Sequence, residues 1–322
     1  MKRGPDPKTI YRIARSYYKD GLSQDEISKR EGFSRSQVSR LIDKARAMGM
    51  VRIELVPPAE PRSAELAAIE RSLGLQRVVV APLRASERRD GAAVARAIAA
   101  AAADYVPDAI AGRKVVGLGW GRTLYAASEQ LPDGFEGDAE RRFVPLVGTS
   151  GDEDPNLQIN TIIDRFSSKF RSRGLFVNAP AVREKVGVLS RIERERMATL
   201  RELWDQVEAA VVGLGAPPVE SSGFIAELPQ SARDELAARG AVGDMLGQFF
   251  LADGAVIEIE DGYERLAFDL ARLRSLERVI CLAGGAAKVG GIVAAAKAGY
   301  ITDLVTDEAT AAALFGLVSG SR

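Results

Sequence analysis

Gly117, Gly119 and Gly121 alternate with Leu118 and Trp120 at the end of an apolar run and lead directly into Arg122 and Thr123. Glycines at a strand end let backbone approach a ligand closely, and a helix start beyond them exposes amides at a positively polarised end. With a guanidinium and a hydroxyl next in line, the chemistry on offer is the cradling of an anion such as phosphate. A second strand-to-helix junction, Ala283-Gly284-Gly285-Ala286-Ala287-Lys288, brings a lysine beside two glycines. A glycine pair alone is usually a turn, and a lysine beside it is a group that phosphate binding can use. Gly148, Thr149 and Ser150 follow another apolar run, with Gln158 and Asn160 downstream, and supply hydroxyls and amides for sugar oxygens. Asp244 and Asp253 are candidate acceptors for sugar hydroxyls, and a cap or turn role suits each equally.

What the chain lacks narrows the chemistry further. There is no histidine among its 322 residues, which excludes His-dependent triads, His-ligated zinc and imidazole acid/base catalysis. One cysteine excludes an intrachain disulfide and a Cys-cluster metal site. That residue, Cys281, sits in the apolar run 279–283 and reads as a packed thiol. No metal and no cofactor is expected. A dinucleotide fingerprint fails at Gly117-x-Gly119, because G-x-G-x-x-G needs a third glycine where Arg122 stands.

The candidate groups must be positioned by a sheet. Apolar runs at 77–81, 114–118, 143–147, 207–214, 278–282 and 302–305 read as strands, and helical patterns at 90–105, 157–170, 286–298 and 307–317 lie between them. Strands recurring with helices imply βαβ crossovers and a mostly parallel, doubly wound α/β fold. Open sheets of this kind bind ligands beyond the carboxyl ends of their strands, where the glycine turns fall.

Ahead of this body the residue types change. Residues 1–56 hold 13 Lys+Arg against 7 Asp+Glu, and the remainder 31 against 37, so a net charge of zero conceals a basic head on an acidic body. Residues 57–61, Pro-Pro-Ala-Glu-Pro, continue neither a helix nor a central strand and mark a linker, leaving 62–322 as a single large domain. Ile10, Ile13, Ala14 and Tyr17 form a helical stripe. Ser23 with Glu26, and Ser34 with Gln37, have the spacing of two consecutive capping boxes. A brief turn at Gly32-Phe33 joins the two helices they open, which is a helix-turn-helix arrangement. The third helix buries Val38, Leu41, Ile42 and Ala45 and turns Ser36, Arg40 and Asp43 outward, with Gln37, Ser39 and Lys44 flanking. Arg and Gln there suit base edges in a major groove, whereas Arg35 and the helix start at Gln24 suit phosphates. Residues 51–55 alternate apolar and polar, as the wing of a winged variant does.

The segments 21–27 and 33–41 resemble the N-terminal head of the SorC family of bacterial sugar-responsive transcription regulators. Gly117–Thr123, Asn178-Ala179-Pro180, Gly240–Asp244, Ala283-Gly284-Gly285 with Lys288, and Thr306–Ala311 resemble that family's landmarks in the same order. The resemblance implies a C-terminal effector domain related in fold to sugar-phosphate isomerases but acting as a sensor. It also implies binding to double-stranded operator DNA, a phosphorylated sugar or related metabolite as effector, and assembly as a homodimer or homotetramer. Three carboxylates at 152–154 disfavour a second phosphate if they point inward, so a monophosphate or a polyol is the expected effector. The start of the chain lacks a secretory signal and no membrane span is present, so a cytoplasmic location is expected. The competing functional class is a sugar-phosphate isomerase or deaminase with an appended DNA-binding head, since carboxylate and lysine chemistry runs without histidine.

Overall fold

The computed structural model describes residues 6–51, 63–88, 90–133, 139–149, 158–184, 190–218, 228–258 and 263–320. The chain divides into two compact units, residues 1–61 and 62–322. Expected features at 52–55 (all but the first residue of the wing), 57–61 (the linker), Ser150 and the acids at 152–154 lie outside the described residues.

The first unit has three helices, α1 (Pro7–Tyr18), α2 (Gln24–Glu31) and α3 (Arg35–Ala47). Both capping boxes form: Ser23 and Ser34 accept from the amides of Glu26 and Gln37, whose side chains reach back to the amides of Ser23 and Ser34 at 2.8 Å. Each box satisfies two amides that a helix start otherwise leaves unpaired. Gly32 ends α2 in the left-handed conformation, which turns the chain into α3. Ile10, Ile13, Ala14, Ile27, Val38, Leu41, Ile42 and Ala45 make the core. Tyr17 departs from the expected stripe. It is exposed and packs edge-on against Tyr18, while Ser16 is buried and its carbonyl accepts from Leu22.

The second unit is built on a seven-stranded parallel sheet in the order β1-β11-β10-β6-β2-β3-β4. The strands are β1 (Arg77–Ala81), β2 (Val115–Leu118), β3 (Arg142–Pro145), β4 (Arg173–Gly174), β6 (Ala209–Gly213), β10 (Arg278–Leu282) and β11 (Asp303–Asp307). Two short antiparallel pairs, β5 (Val182–Glu184) with β9 (Tyr263–Arg265) and β7 (Gly243–Met245) with β8 (Gln248–Phe250), stand apart from it. The central strands are buried almost end to end, as strands covered on both faces must be. Their helices form two contacting groups. One is α5 (Gly91–Ala109), α6 (Arg122–Gln130) and α7 (Ile159–Lys169); the other is α4 (Ala64–Leu73), α11 (Val289–Lys297) and α12 (Glu308–Ser319). The remaining helices are α8 (Arg191–Trp204), α9 (Gln230–Ala238) and α10 (Leu270–Leu273).

Several boundaries differ from expectation, two of them by three or more residues. α5 continues past Tyr105 through Pro107 to Ala109, and the expected helix at 286 opens as a 3-10 turn, Ala286–Lys288, before α11 begins. Cys281 is wholly buried in β10, and burial pushes its thiol up to about 12.

From β2 the chain winds outward through β3 to β4, then returns to β6 beside β2 and winds the other way through β10 and β11. The direction of winding therefore reverses between β2 and β6. A crevice opens at such a point, because the connections leaving adjacent strands diverge.

Candidate functional site

A cavity of about 490 Å³ lies where the strands β2, β6 and β10 end. That volume is in the range of pockets for small metabolites. Three turns frame it, one after each strand: Trp120 to Thr123, Gly213 to Ala216, and Gly284 to Lys288. Gly121 (φ 118°) and Gly285 (φ 99°) hold backbone conformations that a side chain would strain, so glycine is needed at both. α6 carries no capping side chain at its start, so its first-turn amides remain available to an anion, whereas α11 continues from the 3-10 turn and its Val289 amide is bonded to the Ala286 carbonyl.

Three cations and one buried carboxylate face this space. Arg88, Arg122 and Lys288 line it with Asp244. Arg122 is exposed, Lys288 is half-buried, and Arg88 pairs with Glu308 at 3.6 Å. Asp244 is buried; its carboxylate accepts from the Gly247 amide at 3.3 Å. Burial raises its pKa from 3.8 to about 6, against the opposing pull of that hydrogen bond and of the Lys288 charge. A carboxylate poor in partners beside a cationic wall suits a ligand with an anionic end and a hydroxyl-bearing body.

Of the effector-site candidates, Gly121, Arg122, Thr123, Asp244, Gly284, Gly285 and Lys288 line this one cavity. Gly119 sits behind it, buried against Leu246 and Val212. The other candidates among the described residues are committed elsewhere. Gly148 donates to the carbonyl of Leu266, and Thr149 is stitched through its amide, hydroxyl and carbonyl to Ala179 and Ala181. Asn160 clamps Val177, donating to its carbonyl at 2.7 Å and accepting from its amide at 3.0 Å. Gln158 precedes the first residue of α7, and its carbonyl accepts from Thr161 and Ile162. Asp253 accepts from Ala255 within a turn.

Arg88, Trp120 and the Gly213 to Ala216 turn line the cavity without having been singled out from the sequence. The turn had a signal, since Gly213-x-Gly215 ends an apolar run much as Gly117-x-Gly119 does. Arg88 had none, because it reaches the site only through the pairing of β1 with β11.

In the first unit, Arg35, Ser36, Gln37, Arg40 and Lys44 are exposed on α3, and Ser39 on α3 and Gln24 at the start of α2 are half-buried. Arg35 lies 3.5 Å from Asp25, the Arg40 guanidinium folds back to the Ser36 carbonyl at 3.2 Å, and the Gln37 side-chain carbonyl serves the capping box. Among the described residues no cluster of three or more acidic or cysteine side chains is arranged to hold a metal, and no helix is long and apolar enough to cross a membrane.

A parallel α/β domain with a cationic cavity at its switch point, preceded by a basic three-helix unit, defines a ligand-binding protein with an appended helical head. Residues 60–316 match the family model described as "Putative sugar-binding domain". The sorbitol operon regulator of Klebsiella pneumoniae is 25% identical over 317 residues, covering 97% of this chain and 98% of that protein. The transcriptional regulator LsrR of Escherichia coli O9:H4 (strain HS) is 30% identical over 314 residues, covering 96% and 95%. The deoxyribonucleoside regulator of Bacillus subtilis (strain 168) is 28% identical over 303 residues, covering 94% and 95%. The crystal structure of the full-length sorbitol operon regulator SorC from Klebsiella pneumoniae superposes with a TM-score of 0.72 at 24% identity, covering 97% of this chain and all of that one. The chain belongs to the SorC family of sugar-responsive transcriptional regulators. The relatives it matches are named as regulators, not as enzymes.

Proposed function

We propose that this protein is a DNA-binding transcriptional regulator whose affinity for a double-stranded operator is switched by a small phosphorylated sugar or polyol. The effector occupies the cavity at the ends of β2, β6 and β10. Its anionic group lies against the first-turn amides of α6 with Arg122, Thr123 and Lys288, and its hydroxyls donate to Asp244. The single observation that carries this reading is the cavity itself, because seven residues suited to anion and hydroxyl chemistry converge there from the turns after β2 and β10 and from β7. Its surplus of three cations over one carboxylate favours one phosphate.

In the head, α2 and α3 act as a helix-turn-helix in a winged domain. Ser36, Gln37, Ser39, Arg40 and Lys44 of α3 enter the major groove, while Arg35 and the amides at Gln24 hold phosphates. One head reads only a few base pairs, so a homodimer or homotetramer on paired half-sites is the working assembly. A regulator acting on the chromosome works in the cytoplasm.

A gel shift with DNA from upstream of the protein's own gene, repeated with D-ribose 5-phosphate, D-glucose 6-phosphate and D-sorbitol 6-phosphate, tests the proposal. Operator binding that weakens with salt and changes with one of these compounds is expected, since phosphate contacts release counterions. Salt-insensitive or absent binding would refute the DNA-binding part.

A further inference from the structure

The Gly284-Gly285 turn that borders the cavity is gripped from below. Asp307, the last residue of β11 and the N-cap of α12, is 1% exposed, as is Thr310. One carboxylate oxygen of Asp307 accepts from the amides of Ala309 and Thr310, each at 3.0 Å, and so closes the start of α12. The other accepts from the Gly285 amide at 3.0 Å and from the Thr310 hydroxyl at 2.6 Å. The Gly285 amide also reaches that hydroxyl at 2.7 Å. Three groups on two elements thus share one buried hydrogen-bonded knot. The turn fits tightly over it, since a Cβ on Gly284 would overlap the Asp307 carboxylate.

The knot continues into a rigid path. α12 packs against α4, the first described helix after the Pro-rich segment that follows the head. α4 is itself fixed to the sheet, because the buried Glu70 carboxylate accepts from the Val78 amide of β1 at 2.9 Å. β1 in turn pairs with β11 along its full length, ending at Ala81 opposite Asp307. A displacement of the glycine turn must therefore either break a hydrogen bond to the buried Asp307 carboxylate or carry the start of α12 with it. Breaking such a bond strips a partner from the buried Asp307 carboxylate, which is the more costly course.

We propose that Asp307 and Thr310 are positioning residues that transmit effector occupancy at the Gly284-Gly285 turn through α12 to α4, and so to the segment leading to the head. Neither is a ligand contact; both act through the backbone of Gly285. This inference rests on the effector reading above and adds the route by which the site communicates. It distinguishes affinity from coupling: loss of a ligand contact weakens binding but leaves the full switch at saturation, whereas loss of the knot reduces the switch even when the cavity is full.

The test uses the full chain, with Thr310→Val removing the hydroxyl at nearly constant volume, Asp307→Asn removing the acceptor for Gly285, and Thr310→Ser as the control that keeps the hydroxyl. Occupancy is read from the fluorescence of Trp120, which lines the cavity, while Trp204, the other tryptophan, is buried and bonded to the Pro145 carbonyl. With saturating inorganic phosphate as the probe, amide hydrogen exchange in wild type and Thr310→Ser should slow at 284–288, 308–319 and 64–73 together. In Thr310→Val it should slow at 284–288 alone. With whichever sugar phosphate of the panel above shifts the operator complex, the ratio of operator affinities with and without effector is expected at roughly 5- to 150-fold in wild type. In Thr310→Val and Asp307→Asn it should fall to within about twofold of unity at saturation. A Thr310→Val protein that keeps the wild-type ratio at saturation, or wild-type protection confined to the turn while Trp120 reports occupancy, overturns the coupling route. Failure of Trp120 to report any phosphate or sugar phosphate instead refutes the effector site itself, and the coupling route falls with it.

Discussion

Asp244 offers a sharp test of the cavity's electrostatics, because its buried carboxylate burdens the folded protein when no effector is bound. Its pKa rises from 3.8 to about 6 on folding. Below pH 3.8 the carboxyl is protonated in both the unfolded and the native chain and contributes nothing. Between pH 3.8 and 6 the unfolded chain ionises first while the native one still holds its proton, so native stability falls as pH rises through this window; above pH 6 the loss is complete. A shift of about two units corresponds to about 3 kcal/mol at neutral pH. Asp244→Asn removes the titrating group but keeps an oxygen to accept from Gly247. In phosphate-free buffer at pH 7 the variant should be more stable than wild type by up to about 3 kcal/mol, or roughly 6 °C in Tm for a domain of this size. The gap should shrink to below about 1 kcal/mol at pH 4, where little of the linkage remains. Urea melts of both proteins across pH 4 to 8 measure it. A variant less stable than wild type at pH 7, or a gap independent of pH, would show that the carboxylate is not held against its ionisation in the cavity. The same residue should make effector binding pH-dependent: ligand hydroxyls need an ionised acceptor, so affinity should fall about tenfold between pH 7 and pH 5.

On the proposed reading, Lys288→Ala should weaken sugar-phosphate binding by about 1.5–3 kcal/mol through loss of a charged contact, while a gel shift without effector stays as in wild type. Unchanged effector affinity would remove the lysine from the phosphate site. Asn160→Ala should do the reverse, destabilising the α/β unit in urea by about 1–3 kcal/mol because both backbone groups of Val177 lose their partner; an equal loss of effector affinity would mean that the amide touches the ligand after all. Arg40→Ala should weaken operator binding by about 1–3 kcal/mol without changing the melting of the body, and unchanged affinity would show that the outward face of α3 is not the reading face.

Much of the architecture could be read locally. Ser23 with Glu26 and Ser34 with Gln37 announced helix starts because a capping box is closed within four residues, and both form as spaced. The runs 77–81 and 278–282 became strands with those limits; β10 is buried from Val279 to Leu282, as a strand covered on both faces must be, while the edge strand β1 was read from its β-branched run. Strands such as β4, with two residues, and β5, β7, β8 and β9, with three each, carry too little pattern to be seen. Tyr17 was misplaced because a helical stripe specifies a face but not its width.

The candidate site was legible only in part, and the division has a physical cause. Residue types identified groups able to hold an anion, since a glycine turn entering a helix with Arg122 or Lys288 nearby has that capacity wherever it lies. They did not reveal which polar side chains were already spent. Thr149 and Asn160 have the same hydroxyl and amide as a sugar-binding residue, yet each satisfies backbone some 17 to 30 positions away. By itself, then, the sequence determined the three helices of the head, part of the helices and the buried strands of the body, the basic charge of the head and the inventory of anion-binding groups, because caps, periodicity and charge act over a few residues. The tertiary structure decided which of those groups share a cavity. Proximity among positions 88, 122, 244 and 288 depends on the order in which parallel strands pair and on the reversal of winding between β2 and β6, and no short stretch of chain encodes either.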